Sequence, residues 1–444
     1  MIYRFARRII TIALHIFFRK IVVTGKEHIP AKGPVLLIAN HPNTLIDPLI
    51  VASITQQQIG FVANATIYSV KFLTPVFRYF HVIPIYRKKD VKPGEQPDNK
   101  AAFIKCHEYL SGEGSLLIFP EGSSLHELKL REIKTGTARI ALSFEEEHDF
   151  EGGLTILPIA LDYSDAIQFR SMVSVTVEKQ IRVADYKELY LKNNEEGVRK
   201  LTADIQHILA RYVPQTSGKE MEDFLIKAHR FYTAYAEPGA DLYRNTRRSL
   251  EVRKKLSDVL QYIHTHQPEL YEEAKQKVQL FYSRLDAAHI TSGLLTDTFL
   301  QKNKVLVCAG YITTFVLLLP VYLIGLLTNG LPYMLPSGIF NLFNLEIEYR
   351  ASAILGLGMV LYLTCYTAET LLFRHFITTE MVPTLLWMAL MPLSGFAAMF
   401  YWTELKRFAR VIRFYFNMNA GDKNELLQLR NELLAILHHH QPVV

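Results

Sequence analysis

The 444-residue chain is 49% hydrophobic and 21% charged, with a formal charge of +6. That low charge and a mean hydropathy of +0.09 exclude disorder over most of its length. Its 22 Gly and 19 Pro have no period, which excludes a collagen-like chain, and three cysteines (Cys106, Cys308, Cys365) without metal-ligand spacing exclude a disulfide scaffold. The averages conceal a split: the first 300 residues read as soluble and the next hundred do not.

Six basic residues, from Arg4 to Lys26, precede the first acid, Glu27. The apolar run Ile9–Phe18 falls short of the roughly 20 residues that a bilayer needs, and no small-residue cleavage site follows it. Residues 1–19 therefore read as a basic amphipathic anchor on anionic lipid, against the bland alternative of a first helix packed on the core.

Between residues 20 and 185, apolar runs alternate with helical patterns. Val35–Ala39, Ile59–Val62, Ser115–Phe119, Thr155–Leu161 and Val173–Val177 are predicted strands. Pro48–Gln56, Tyr68–Tyr79, Lys100–Leu110 and Gly136–Glu146 are predicted helices between them. This alternation predicts an α/β domain with a mostly parallel sheet flanked by helices. The polar stretch Asp90–Asn99 reads as a surface loop.

Residues 190–300 change character. Glu195–Tyr212, Lys219–Tyr235, Leu242–His264 and Pro268–Ala288 carry apolar residues at three-four spacing, which predicts a helical segment without a catalytic signature. Residues 305–402 form a transmembrane region, with uncharged runs at Val305–Leu327, Ala351–Ala368 and Val382–Trp402. Leu331–Leu345 is apolar but broken by Pro332, Pro336 and Gly338, and reads as re-entrant, interfacial or a fourth crossing. Glu369 is either functional or a carboxylate reaching for the interface. Residues 403–444 hold a basic amphipathic helix, with Lys406, Arg407, Arg410 and Arg413 on one face, then a last helix ending in His438–His440. That basic end places the tail and the α/β domain together on the cytoplasmic face.

The most informative stretch is Asn40-His41-Pro42-Asn43-Thr44-Leu45-Ile46-Asp47-Pro48, directly after an apolar strand. A histidine at a strand's carboxyl end lies in the crevice where α/β sheets bind ligands. A carboxylate one loop away can fix its tautomer and raise its basicity. His41 and Asp47 thus read as a general base and its orienting partner. A satisfied buried histidine or a pair of metal ligands remain the alternatives at this point.

A second strand ends in Phe119-Pro120-Glu121-Gly122-Ser123-Ser124. Lys129, Arg131 and Lys134 then precede Thr135-Gly136, which opens a helix, and cations beside a helix start make an anion site. Between the two motifs, Val82-Ile83-Pro84-Ile85-Tyr86-Arg87-Lys88-Lys89 adds three more cations.

Together, His41-Pro42-Asn43…Asp47-Pro48, Pro84-Ile85-Tyr86-Arg87…Asp90 and Phe119-Pro120-Glu121-Gly122-Ser123, followed by the Pro158 strand, resemble the glycerophospholipid acyltransferase family. The wording is closest to its fungal-type glycerol-3-phosphate/dihydroxyacetone-phosphate branch. Two departures stand out: five residues separate His41 from Asp47 where the family usually has four, and Ser123-Ser124 replace the usual Thr-Arg. The resemblance covers about residues 20–185. It implies a membrane-bound O-acyltransferase of phospholipid biosynthesis that moves a fatty acyl group from acyl-CoA or acyl-carrier protein to glycerol 3-phosphate or dihydroxyacetone phosphate. Lysophosphatidate is the alternative acceptor. It implies His41 and Asp47 as catalytic residues and Arg87, Glu121, Gly122, Ser123 and Lys134 as acceptor-binding residues. No metal, cofactor or nucleic acid enters that scheme, and membrane lipids are its surroundings. No Gly-x-Ser-x-Gly supports a serine hydrolase instead, and a membrane scaffold leaves the polar strand-end motifs without a task.

Overall fold

The computed structural model describes residues 2–69, 71, 74–87, 90, 98–238, 245–343 and 345–439. Lys88, Lys89, most of the polar loop after Asp90, the Gly239 end of the Pro-Gly break, the start of the expected Leu242–His264 helix and the side chains of His438–His440 lie outside the described residues. The chain divides into two compact units. One comprises Met1–Thr216, Thr246–Lys254 and Ile347–Ser352; the other comprises Ser217–Asn245, Lys255–Glu346 and Ala353–Val444.

The first unit is built on an eight-stranded sheet: β1 (Lys20–Thr24), β2 (Val35–Ala39), β3 (Ile59–Asn64), β4 (Val82–Ile85), β5 (Ser115–Ile118), β6 (Thr155–Tyr163), β7 (Met172–Val177) and β8 (Ile181–Arg182). The order is β1-β7-β6-β2-β5-β3-β4, with β8 beside β6. All pairings are parallel except β6 with β7 and β6 with β8. The sheet is therefore mostly parallel and flanked by helices, as the alternating pattern predicts. Strands covered on both faces read as unbroken apolar runs, and all five residues of β2 are buried. Three strands carry too little signal to stand out. β1 and β4 lie at the sheet's edges, where pairing is one-sided, and an edge also tolerates Pro84 inside β4. β8 is two residues long.

Helices α2 (Ile46–Ile54), α4 (Lys100–Ser111), α5 (Gly136–Glu147) and α7 (Asn194–Ala210) lie in this unit. Cys106 and Leu110 of α4, Ile140 and Phe144 of α5 and Leu201 and Ile205 of α7 share one buried cluster with Leu36, Leu116 and Ile156 of the sheet. Burial pushes the Cys106 thiol up to about 12, so it packs as an inert apolar group. The expected helix at Tyr68–Tyr79 is instead a 3₁₀ turn, Ala65–Ser69, followed by a short α3 (Thr74–Tyr79).

Helix α1 (Ile2–Phe17) has three faces rather than two. Tyr3, Ala13, Leu14 and Phe17 pack inward. Ile2, Phe5, Ile9, Ile12 and Ile16, at helical spacing, form an exposed apolar stripe. Arg4, Arg8 and His15 lie along its border, also exposed.

The second unit holds α8 (Lys219–Tyr235), α10 (Pro268–Ala287), α11 (Asp297–Leu300) and the terminal helix α15 (Ala420–His439), together with most of the long helix α9 (Thr246–His266). It also holds α12 (Lys304–Leu342), most of α13 (Arg350–Phe376) and α14 (Met381–Ile412). Three stretches here, led by these helices, are long and apolar enough to cross a membrane. The Leu331–Leu345 break does not occur: α12 continues through Pro320, Pro332 and Pro336 to Leu342. Prolines that break helices in water are tolerated in apolar helices whose freed groups find neighbours. The expected basic amphipathic helix is likewise the last turns of α14, not a separate element.

α12 and α14 run antiparallel. Tyr311 stacks on Phe408, Tyr322 on Tyr401, and Asn329 Nδ2 donates to the Met391 carbonyl at 3.0 Å. Only glycine fits the closest crossing, because a Cβ on Gly325 would lie 2.1 Å from the Ser394 carbonyl oxygen. The Tyr366 hydroxyl of α13 donates to Asn329 Oδ1 at 2.6 Å, so one amide ties all three helices. Glu369, one turn beyond Tyr366, keeps a buried carboxylate oxygen without a partner.

Candidate active site

β2 and β5 are parallel neighbours, with Ile38 opposite Ile118. The loops that follow them therefore leave the sheet side by side, at the carboxyl edge where α/β sheets place their ligands. This register brings together two motifs that lie 80 residues apart. His41 N donates to Glu121 Oε1 at 2.7 Å, and the His41 ring stacks on Phe119 with centroids 3.9 Å apart. On the other side of β2, the Asn40 side-chain amide exchanges two hydrogen bonds with Leu161 of β6, at 2.8 and 2.7 Å. His41 is thus fixed from both neighbouring strands.

His41 Nδ1 lies 2.9 Å from Asp47 Oδ2. A carboxylate there holds the ring proton on Nδ1 and leaves Nε2 as the basic nitrogen. Nε2 has no protein partner among the described residues. The His41 side chain is 15% exposed, whereas Asp47 is wholly buried at the start of α2. Burying a carboxylate is costly unless donors surround it. Asp47 has three: His41 Nδ1, Asn43 N at 2.7 Å to the same oxygen, and the Tyr163 hydroxyl at 2.5 Å to Oδ1. Burial, and then the Asp47 charge, hold the Tyr163 phenol well above its ordinary value, so it remains a donor. Tyr163 is itself braced: Arg253, from the start of α9, pairs with Asp162 and donates to the Tyr163 carbonyl at 2.7 Å. Among the described residues, no group of three His, Cys, Asp or Glu is placed to hold an ion.

The second loop is bound largely to itself. Glu121 Oε2 accepts from the backbone N and the Nε of Arg131, both at 3.2 Å. Burial raises the Glu121 pKa, opposed by the His41 N–H and by Arg131. Arg131 Nη1 donates to Ser123 Oγ at 2.8 Å, and Nη2 to the Ser123 carbonyl. Gly122 turns the loop at φ +74°, a left-handed value that favours glycine. Arg87 reaches the Gly122 carbonyl at 3.3 Å, but its guanidinium forks onto Asp90 at 2.9 and 3.0 Å. Lys134 N donates to the Pro120 carbonyl at 2.8 Å, while its ammonium is 67% exposed and no closer than 3.7 Å to Glu132. Lys129 lies 3.4 Å from Glu127.

Every sequence-predicted site residue therefore gathers at this edge. The Glu121 carboxylate and the Ser123 hydroxyl, expected to hold an acceptor, also accept hydrogen bonds from the protein, and the Arg87 guanidinium, expected to hold a phosphate, is paired with Asp90.

Residues 20–162 match the acyltransferase family model. The chain is similar to an uncharacterised acyltransferase of Schizosaccharomyces pombe, at 22% identity over 50% of this chain and 46% of that protein. It is also similar to a 1-acyl-sn-glycerol-3-phosphate acyltransferase of Borreliella burgdorferi, at 29% identity over 35% of this chain and 56% of that protein. The chain spans about half the length of these curated relatives. The crystal structure of the 1-acyl-sn-glycerophosphate acyltransferase PlsC from Thermotoga maritima overlaps 49% of this chain and 82% of its own, at 16% identity and a TM-score of 0.35.

The site also uses residues that sequence reasoning passed over. Tyr163 and Arg253 complete the Asp47 environment. Thr44 N donates to Ser124 Oγ at 2.9 Å, which joins the two motif loops a second time. Glu348, from the short segment before α13, fastens both: Thr44 Oγ1 donates to its carbonyl at 2.9 Å, and His126 N to its Oε1 at 3.2 Å. Such an edge presents one basic nitrogen, oriented from behind by a buried carboxylate, beside a glycine turn and an exposed ammonium. That is suited to taking a proton from a hydroxyl whose molecule carries an anion nearby.

Proposed function

We propose that this chain is a membrane-bound O-acyltransferase that moves a fatty acyl group from a thioester to a hydroxyl of a glycerol-phosphate acceptor. The observation that carries this reading is His41, with Nδ1 held by Asp47 and Nε2 unpartnered at the sheet edge. Nε2 takes the hydroxyl proton as the oxygen attacks the thioester carbonyl. The C–S bond breaks as the C–O bond becomes the new ester, and the imidazolium returns its proton to the departing thiolate. A single encounter of both substrates suffices, so no acyl-enzyme is required. Acyl-CoA or acyl-carrier protein serves as donor. We assign the acceptor phosphate first to Lys134, whose ammonium is exposed, with Arg87 as the second cation and the brace of the Gly122 turn.

The three long apolar helices anchor the protein in the bilayer, and the exposed stripe of α1 lies in its surface. We place the acyltransferase domain on the cytoplasmic face, because anionic lipid and positive charge gather on that side and Arg4 and Arg8 border the exposed stripe of α1. The wording around Asp47-Pro48, Arg87…Asp90 and Glu121-Gly122 favours glycerol 3-phosphate or dihydroxyacetone phosphate as acceptor. The name of the Borreliella burgdorferi relative favours the second reading, in which lysophosphatidate is acylated to phosphatidate.

The test is thioester consumption by purified full-length protein with and without each acceptor. Consumption that requires a glycerol-phosphate acceptor and yields its ester supports the proposal. Consumption without acceptor would replace it with a hydrolase, and none under any condition would leave a scaffold.

A further inference from the structure

The second unit contains a cavity that the acyl-transfer reading does not use. It measures about 480 Å³ and is lined by Thr291, Gly293, Phe299, Tyr311, Arg407 and Arg410, among others. Its walls are the start of α12, the end of α14 and the turn that precedes α11. Because α12 and α14 are antiparallel, this is the end at which the pair both begins and finishes. Arg407 is paired with Glu404 at 2.6 Å. Arg410 has no carboxylate partner among the described residues.

The surroundings share this imbalance of charge. Lys302 lies over the Phe299 ring at 5.8 Å, Lys304 over Phe416 at 5.7 Å and Lys406 over Trp402 at 5.3 Å, cations resting on aromatic faces rather than on carboxylates. Aromatic rings and cations at one end of an apolar helix pair mark the headgroup level of a bilayer. Directly beyond, Leu306, Ile312 and Val316 of α12 are exposed and apolar, a surface suited to acyl chains. A Cβ on Gly293, one of the lining residues, would meet no atom within 4 Å, so a larger side chain can be introduced there without a clash.

We propose that this cavity binds the phosphate of an anionic phospholipid headgroup, with Arg410 as its principal donor and the acyl chains lying along α12. An unpaired guanidinium offers a forked set of donors matched to phosphate oxygens, and the three neighbouring lysines add charge that neutral lipid does not satisfy. The site is distinct from the His41 edge. It rests on the reading of α12 and α14 as membrane helices.

The experiment places full-length protein in phosphatidylcholine nanodiscs that carry a trace of photoreactive phosphatidylglycerol, followed by peptide mapping. Wild-type protein is expected to label within 291–299, 305–316 and 407–411. Arg410→Gln should lower that labelling about tenfold, the loss of one charge-assisted contact. Gly293→Leu, which adds bulk at the cavity's lining without changing charge, should lower it as well. Equal labelling of wild type and Arg410→Gln, or labelling spread evenly along the apolar helices, overturns the proposal. Loss of labelling on addition of millimolar inorganic phosphate would assign the cavity to a free anion and also overturns it. Release of the protein from vesicles by alkaline carbonate would defeat the membrane reading itself, and is measured separately from the labelling.

Discussion

The Tyr163 hydroxyl donates to Asp47 Oδ1 at 2.5 Å, from the last residue of β6 to the start of the neighbouring α2. It is the third donor on a carboxylate whose other two are His41 Nδ1 and Asn43 N. Asp47 is buried, so the orientation it imposes on His41 depends on all its donors remaining in place. Tyr163→Phe removes one oxygen and nothing else. It should lower kcat roughly tenfold, in line with about 1.5–3 kcal/mol for a hydrogen bond to a charged group, and leave KM for both substrates unchanged. A purely structural role would lower the melting temperature without changing the pH dependence of kcat. A positioning role changes that pH dependence, and the two measurements together decide.

His41→Ala should abolish acyl transfer by at least the roughly 10²–10⁴-fold attributed to a general base. Membrane association, read by flotation, should remain intact. Asp47→Asn should be nearly as damaging, because an amide can offer the imidazole a donor where it needs an acceptor, and so favour the wrong tautomer. Near-normal turnover by either variant would refute the mechanism.

Lys134→Ala should raise KM for the phosphate-bearing acceptor about tenfold and leave KM for the thioester nearly unchanged. Arg87→Ala should behave differently. Its guanidinium is forked onto Asp90 and touches the Gly122 carbonyl, so its loss loosens the turn. The expected result is a fall in kcat with a smaller rise in acceptor KM. If Arg87→Ala changes acceptor KM alone, the phosphate belongs to Arg87 and the assignment to Lys134 fails.

What the sequence made legible follows from distance along the chain. His41 and Asp47 share one loop after an unbroken apolar strand, so their pairing could be read from spacing alone. The meeting of that loop with Glu121 could be anticipated because both follow buried strands and both point to one edge. Tyr163 carries no such local signal: it lies 116 residues from Asp47, and only the β2–β6 register brings it near. Glu348 lies 304 residues from Thr44, in a stretch that reads as a plain connector. Charge misled in the opposite direction. Arg87 and Arg131 looked like free cations, yet both are consumed by Asp90, Glu121 and Ser123. Pro332 and Pro336 looked like breaks because propensities measured in water do not carry over to apolar helices.

The tail after α14 should lie on the same side of the membrane as the start of α12. The antiparallel contacts from Tyr311–Phe408 to Asn329–Met391 put the start of α12 and the end of α14 at the same end of the pair. Asn424→Cys, in a background lacking Cys308 and Cys365, should react with an impermeant maleimide only after the membrane is permeabilised. Labelling from outside on intact cells would refute this orientation.

The two acceptor readings require different surfaces. Glycerol 3-phosphate is small and doubly charged, so its binding must come from charge and from the few polar groups at the sheet edge. With Arg87 and Arg131 already paired, Lys134 carries most of that burden, and high salt should weaken such binding strongly. Lysophosphatidate would gain roughly 25 cal/mol for each Å² of buried tail, and its affinity should be far less sensitive to salt. Equimolar glycerol 3-phosphate and lysophosphatidate competing for one labelled acyl thioester, at low and at high salt, separate the two. Lysophosphatidate as the main product, with a yield that falls as salt rises, supports the first acylation. Predominant phosphatidate that is insensitive to salt, with negligible monoacyl product, would overturn that choice in favour of the activity named for the Borreliella burgdorferi relative.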